Sequence, residues 1–250
     1  MNTTIRRTVA LAGALAITLG AAACAKSEAP AASPSSSATS TTTSAPTTTT
    51  EAAAPKASDI LKQVKSNALA AKSAAFEGEI EQGGQKMSIA FKGTADGKTS
   101  DINLEQAEMG KVHLIAVGGE VYLQGDEKFW KEQGAPESVQ KAGDKFVKAP
   151  ASAGSLADEV NLKSFMDQAF GSLGNSDLDG KVGSETVDGV DCWVLTDKSG
   201  RDNGALYVAK DSMQLMRFTG TKESPGQLTF SNWNEDLAIK APAADQIIKL

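Results

Sequence analysis

The chain has 250 residues and a formal net charge of -6. An acidic protein is poorly suited to neutralising phosphates, so the composition argues against nucleic-acid binding. One histidine and two cysteines exclude metal sites built on two histidines, and they are too few for a disulfide framework.

The N-terminus has the order of a secretory signal. Arg6 and Arg7 form a basic segment, and residues 8–23 are an uncharged apolar run, too short and too rich in Ala and Gly for a comfortable membrane span. The run ends in AAAC, which resembles the lipobox of bacterial lipoproteins, in which the cysteine thiol is diacylated before cleavage. The resemblance implies that Cys24 is lipidated and anchors the protein to the extracytoplasmic face of the cell membrane. The alternative is plain secretion, with Cys24 near the mature terminus by chance.

A linker, residues 24–57, follows the predicted signal peptide of residues 1–23 and is almost entirely Ala, Ser, Thr and Pro. It lacks the large apolar side chains that would repay the entropy of ordering, so we expect it to be disordered and extended. Behind a lipid anchor it would hold a folded head, residues 58–250, away from the bilayer. Such stretches also carry O-glycans, and an unmodified spacer is the alternative.

The head begins with a predicted helix. In SDILKQVKSNALAAKSAA, Ser58 is the expected N-cap and apolar residues recur along one face. That apolar stripe consists of Ile60, Leu61, Val64, Ala68 and Ala71.

The periodicity then falls to two. In FEGEIEQGGQKMSIAFKG, apolar residues alternate with mostly polar ones on both sides of Gly83-Gly84, which predicts a hairpin with one apolar face. TSDINLEQ predicts a weaker third strand, and KVHLIAVGGEVYLQG predicts a second hairpin that turns at Gly118-Gly119.

The middle of the head is predicted to be helical. Pro136 could open a short helix through Val139, and DKFVKAP then returns to extended chain. NLKSFMDQAFGSL predicts the clearest amphipathic helix, because apolar residues recur at i, i+3, i+4, i+7 and i+8. These residues are Leu162, Phe165, Met166, Ala169 and Phe170.

Three segments predict the final strands. GSETVDGVDCWVLTD turns at Asp188-Gly189, GALYVAKDSMQLMRFTG turns near Asp211-Ser212, and QLTFSNWNEDLAIKAP completes the sheet. The order of helix, strands, helices and strands predicts an α+β head with one antiparallel sheet and its helices on one face.

These last segments resemble the C-terminal half of actinobacterial LppX/LprG-type lipoproteins and the wider group of LolA-like carriers. The shared pattern is a Gly-x-x-x-Trp strand followed by Leu-Tyr-Val, here Gly189, Trp193 and residues 206–208. The resemblance spans roughly residues 58–245 in element order and carries no catalytic signature. It implies a curved antiparallel sheet, a LolA-like half-barrel, that wraps around helices and leaves an apolar cavity for acyl chains.

Whether the head holds a ligand depends on what fills the inner face of that sheet. Ala68 and Ala71 are small and would leave space on the first helix, whereas Phe165, Met166 and Phe170 could either line a site or plug it. We therefore treat these five residues as candidate cavity-lining residues. The alternative is an ordinary solid core.

No catalytic constellation emerges from the sequence. His113 lies in an alternating strand and is interpreted as structural, and the Ser138–Lys141 tetrapeptide matches Ser-x-x-Lys without the partner motifs of that family. GTADGKT, from Gly93, is one residue short of a P-loop and opens no helix, so it is read as a turn. Cys192 is expected to be a small buried hydrophobe, and it could bridge to Cys24 only without acylation. We predict no catalytic residue, metal ligand or cofactor.

Three functional hypotheses follow. The favoured one is a membrane-anchored envelope lipoprotein whose head binds or carries lipid or another hydrophobic molecule by apolar burial. The second is a non-enzymatic structural or interaction module that presents its surface to another envelope protein. The third is a non-binding accessory to a transporter or signalling system, which makes an envelope transporter a candidate partner.

Overall fold

The structure is a computed structural model. The predicted signal peptide, Cys24 and most of the predicted linker lie outside the residues that it describes. In the described part of the chain, no helix is both long and apolar enough to cross a membrane. The described residues are 54–82, 84–149, 161–171, 174 and 177–248.

The first helix, α1, spans Ala57–Ala70 and confirms the predicted amphipathic segment. Its boundaries differ from the prediction. Lys56, and not the predicted Ser58, occupies the N-cap position. Ser58 lies inside the first turn of the helix, and it cannot be the cap because a cap residue has a non-helical backbone. At the other end the backbone of Ala71 is already extended (φ -63°, ψ 138°), because the first strand begins at Ser73.

Eleven strands form one antiparallel sheet in the described part of the chain. All the predicted strands are present, although the last one ends well before Pro242. Beyond it, Ile247 forms an isolated parallel bridge with Phe146, the residue that precedes β6. The strands are β1 (Ser73–Gln82), β2 (Gln85–Thr94), β3 (Ser100–Gln106), β4 (Gly110–Val117), β5 (Glu120–Gly125), β6 (Val147–Lys148), β7 (Gly183–Val187), β8 (Val190–Asp197), β9 (Gly200–Ala209), β10 (Leu215–Thr221) and β11 (Gly226–Ser231).

The strand order is β6-β5-β4-β3-β2-β1-β11-β10-β9-β8-β7. Each half of the sheet follows chain order, and the halves join where the first strand pairs with the last, with Phe76 opposite Phe230. The strands β6 and β7 are the two edges of the described sheet and do not pair with each other, so the sheet is open. The α+β fold with a curved antiparallel sheet is confirmed.

Glycines allow the two halves to approach each other closely. Gly78 in β1 has a positive φ of 156° and lies opposite Leu228, while Gly226 in β11 has a φ of 152° and lies opposite Ile80. A Cβ built on Gly78 would lie 1.9 Å from the carbonyl oxygen of Gln227. This seam therefore requires a residue without a side chain.

The described residues between β5 and β7 form three α-helices, α2 (Glu127–Glu132), α3 (Glu137–Gln140) and α4 (Leu162–Gly171). The helix α3 agrees with the predicted short helix, and α4 confirms the predicted amphipathic one. The helix α2 was missed; its N-cap is Asp126, whose carboxylate accepts a hydrogen bond from the N–H of Phe129 at 2.7 Å.

The main core lies between the sheet and the helices α1 and α4. We call the sheet face that carries Phe76 and Phe230 the inner face, and the opposite one the outer face. The Lys65 ammonium of α1 donates a hydrogen bond to the carbonyl oxygen of Phe170 in α4 at 2.9 Å, which ties the two helices together. On the outer face Cys192 is fully buried in a small apolar cluster, as predicted, and this burial raises the pKa of its thiol.

Candidate functional site

The inner face can be followed as cross-strand rows through β1 to β4, because residues opposite each other in a ladder share a face. The two rows nearest α1 and α4 are buried. The next two rows, towards the end of β1, are half-buried at each position that carries a large side chain. The buried rows are Ala74–Gly93–Ser100–Ala116 and Phe76–Phe91–Ile102–Leu114. The half-buried rows are Gly78–Ile89–Leu104–Val112 and Ile80–Met87–Gln106.

The lengths of the helices explain this gradient. The helix α1 has 14 residues and α4 has 10, which correspond to about 21 Å and about 15 Å. The eleven described strands span about 48 Å at a spacing of about 4.8 Å. Two helices about 10 Å wide cannot cover a sheet of that size.

The short helix α2 covers another part of the inner face. Its residues Phe129 and Trp130 form a separate buried cluster, against which Val112, Leu123 and Val147 pack. At the margin of the core beneath α1 and α4, apolar side chains are only half-buried, although most of them pack against that core on one side. We call this set the open strip: Ile80, Met87, Ile89, Leu104 and Phe218.

The open strip extends across the seam of the sheet, where the buried Leu228 interrupts it. Ile80 is opposite Met87, and Ile89 is opposite Leu104, which joins β1, β2 and β3. On the other side, Phe218 is opposite the buried Leu228, which is itself opposite Gly78.

The five predicted cavity-lining residues all join the main core. Ala68, Ala71, Met166 and Phe170 are buried, so in this structure they pack against other side chains. Phe165 is half-exposed and stacks on Phe76, with ring centroids 4.3 Å apart. Of the five, only Phe165 has surface available beside the open strip.

The outer face carries a different kind of surface. A cleft of about 720 Å³ lies there, and its lining includes Ser88, Asn103, His113 and Gln124, all polar. The Nε2 atom of His113 lies 2.8 Å from a carboxylate oxygen of Asp101, a contact that the sequence spacing did not predict. The edge of its ring packs on Phe146. These contacts agree with a structural histidine. The cleft is lined by both polar and apolar residues, the latter including Ala90 and Val112.

Sequence reasoning recognised the strip residues as apolar strand positions and not as a site. Alternation assigns a side chain to a face and leaves open whether a helix covers that face. The sequence did offer one signal for incomplete coverage, which was that the predicted helices are few and short compared with the number of predicted strands. No group of three or more His, Cys, Asp or Glu residues in the described ranges is arranged to hold a metal ion.

Comparison with protein-family models gives no match, and comparison with curated proteins gives none either. Solved structures similar to the chain include LprF from Mycobacterium bovis, with 12% identity over 74% of this chain and 96% of LprF and a TM-score of 0.47. The lipoprotein LppX from Mycobacterium tuberculosis shows 15% identity over 74% of this chain and 100% of LppX, with a TM-score of 0.43. A LolA superfamily protein from Nitrosomonas europaea shows 12% identity over 76% of this chain and 96% of its own, with a TM-score of 0.26. These are the groups that the sequence resemblance named.

Proposed function

We propose that the protein is an envelope lipoprotein whose head binds a lipid or another hydrophobic molecule along the open strip. The observation that supports this is a set of half-buried apolar side chains on the sheet face that also holds the core. An acyl chain lying on that surface gains about 0.8 kcal/mol for each CH₂ group that it buries. Binding of this kind depends on apolar burial and requires no covalent chemistry.

The helix α4 supplies the wall of the proposed groove. Phe165 would contact the ligand with its exposed edge, since it already stacks on the sheet beside the strip. Met166 and Phe170 lie beneath it in the core, and Ala68 and Ala71 contribute from α1 and from the residue that follows it. In this proposal these four buried residues hold Phe165 in place. A ligand with a longer chain would have to displace their side chains.

The variant Ile89→Asp is expected to weaken binding strongly. It places a carboxylate in the middle of the open strip, where an acyl chain would remove the charge from water without a counter-charge. We expect the affinity for a fluorescent fatty-acyl probe to fall at least about tenfold, and co-purifying acyl lipid to disappear from native mass spectra. The parent protein for both measurements is the full chain carrying Cys24→Ala, purified without detergent.

The matched control is Ser88→Asp, which adds the same charge at the neighbouring residue on the outer face. It should bind the probe as the parent does. Equal binding by the Ile89→Asp and Ser88→Asp variants would contradict the groove. A parent protein that carries no lipid and binds no probe would also contradict it, and a protein partner captured by that parent would favour the tethered interaction module.

We also propose that Cys24 is lipidated and holds the head at the extracytoplasmic face of the cell membrane. The variant Cys24→Ala should no longer incorporate labelled fatty acid, because the thiol that carries the acyl chains is removed. The control is Cys192→Ala, which removes the buried thiol and should incorporate the label as the parent does. Unchanged incorporation by the Cys24→Ala variant would contradict acylation at Cys24.

A further inference from the structure

A pair of amide side chains closes one end of the open strip. Gln106 is opposite Met87, and Gln85 lies two residues before Met87 in β2, so both amides belong to the inner face. The Gln106 side-chain N–H donates a hydrogen bond to the Gln85 side-chain oxygen at 2.6 Å. Both residues are half-buried. The apolar strip therefore ends in a neutral polar group.

This amide pair has hydrogen-bonding capacity left over. An amide side chain offers two donor hydrogens and one oxygen that can accept two bonds. Within the described residues, the bond between Gln85 and Gln106 is the one side-chain hydrogen bond that either amide makes. The pair can therefore still donate through the nitrogen of Gln85 and accept at the oxygen of Gln106.

The surrounding inner face carries no charge in the described strands β1 to β5. Every ionisable side chain of those strands lies at a position that alternation assigns to the outer face. A phosphate or carboxylate drawn into the groove would therefore lose water without meeting a cation from these strands. The Lys128 ammonium of α2 donates a hydrogen bond to the carbonyl oxygen of Ala107, the residue after Gln106, so it is already engaged. The outward residues are Glu77, Glu79, Glu81, Lys86, Lys92, Asp101, Glu105, Lys111, His113, Glu120 and Tyr122.

From this arrangement we infer that the Gln85–Gln106 amide pair binds the polar end of the ligand and selects an uncharged hydrogen-bonding group, such as an ester, over an anionic one. The inference rests on the proposed function, because it assumes that the hydrocarbon part lies on the open strip. It goes further by assigning the orientation of the ligand, with its polar end at the Gln85–Gln106 pair and its chain directed towards Phe165.

The test compares three probes that share one saturated chain: the hydrocarbon, its methyl ester and its alkyl phosphate. Each competes with a fluorescent acyl probe for the full chain carrying Cys24→Ala. We expect that protein to prefer the ester to the hydrocarbon by about two- to tenfold, the contribution of one hydrogen bond, and to bind the phosphate more weakly than the ester.

Two substitutions of Gln106 separate the contributions of hydrogen bonding and charge. Gln106→Leu should remove the preference for the ester and keep the affinity for the hydrocarbon. Gln106→Lys should reverse the order of ester and phosphate at low salt, because it adds a cation to the inner face. The control is Gln124→Lys, which adds the same charge on the outer face and should leave all three affinities in the order of the parent. Gln85→Leu should also remove the preference for the ester, because it removes the other amide of the pair.

The outcomes distinguish this inference from the proposed function. If the hydrocarbon binds but Gln106→Leu and Gln85→Leu both keep the ester preference, the amide pair is not the polar site and the groove still stands. An unchanged ratio of phosphate to ester in the Gln106→Lys variant would overturn the inference in the same way. If none of the three probes binds the parent, the proposed function itself fails.

Discussion

Replacing Gly78 by alanine should lower the free energy of unfolding by about 3 kcal/mol or more. The new Cβ would lie 1.9 Å from the carbonyl oxygen of Gln227, an atom of the backbone that no rotamer change can move. The φ of 156° at Gly78 is also one that alanine rarely adopts. Relief requires separating β1 from β11 at the junction of the two halves of the sheet. Urea unfolding followed by circular dichroism measures the loss.

The matched control for this experiment is Gly171→Ala. Gly171 is exposed at the end of α4, and a Cβ there would meet no described atom within 4 Å. The same substitution should therefore change the free energy of unfolding by less than about 1 kcal/mol. Similar losses in both variants would show that the close approach at the seam is not what requires glycine at Gly78.

The second large effect is expected for Phe76→Ala, at about 3 to 5 kcal/mol. Phe76 is 2% exposed, and its ring lies against those of Phe91, Phe165 and Phe230, with centroids 4.8, 4.3 and 5.4 Å away. Truncation leaves a cavity at the point where both sheet halves and α4 meet. The free energy of unfolding from urea titration is again the measurement.

Two control variants should lose less free energy of unfolding than Phe76→Ala does. Phe76→Leu keeps most of the volume and should cost less than the alanine variant. Phe218→Ala removes a half-exposed ring of the open strip and should also cost less, because water already reaches that side chain. Equal losses in Phe76→Ala and Phe218→Ala would contradict the division of the inner face into a packed core and an open strip.

Local patterns in the sequence predicted much of the fold. Alternation located the strands, and it also placed Glu77, Glu79 and Glu81 on the face opposite Phe76. Helical periodicity found α1 and α4, because each buries an apolar stripe that repeats over its length. The predicted ends of the elements were less accurate, as Ser58 and Ala71 show. A helix boundary depends on the conformation of the segment that follows or precedes it as well as on the helix itself.

The pairing of β1 with β11 could not be read from the sequence. The periodicity of a strand says which face its side chains occupy and not which strand it pairs with. The hydrogen-bonded ladder between β1 and β11 joins segments about 150 residues apart, and no local pattern specifies it. Gly78 was visible as a glycine within a predicted strand, a pattern that can mark a close backbone approach without naming the partner, whereas Gly226 lies just before the strand that was predicted. The candidate site shares this limitation, because the open strip crosses that same junction.

By itself, the sequence determined the antiparallel strands, the two amphipathic helices and the separation of charged from apolar side chains across the sheet. These features repeat with the period of the backbone, so neighbouring residues are enough to specify them. Only the tertiary structure decided that Phe76 is covered while Ile89 is half-exposed, although both are apolar residues on the same face. The reason is that coverage depends on where short helices dock on a wide sheet, and docking is set by contacts between residues far apart in the chain.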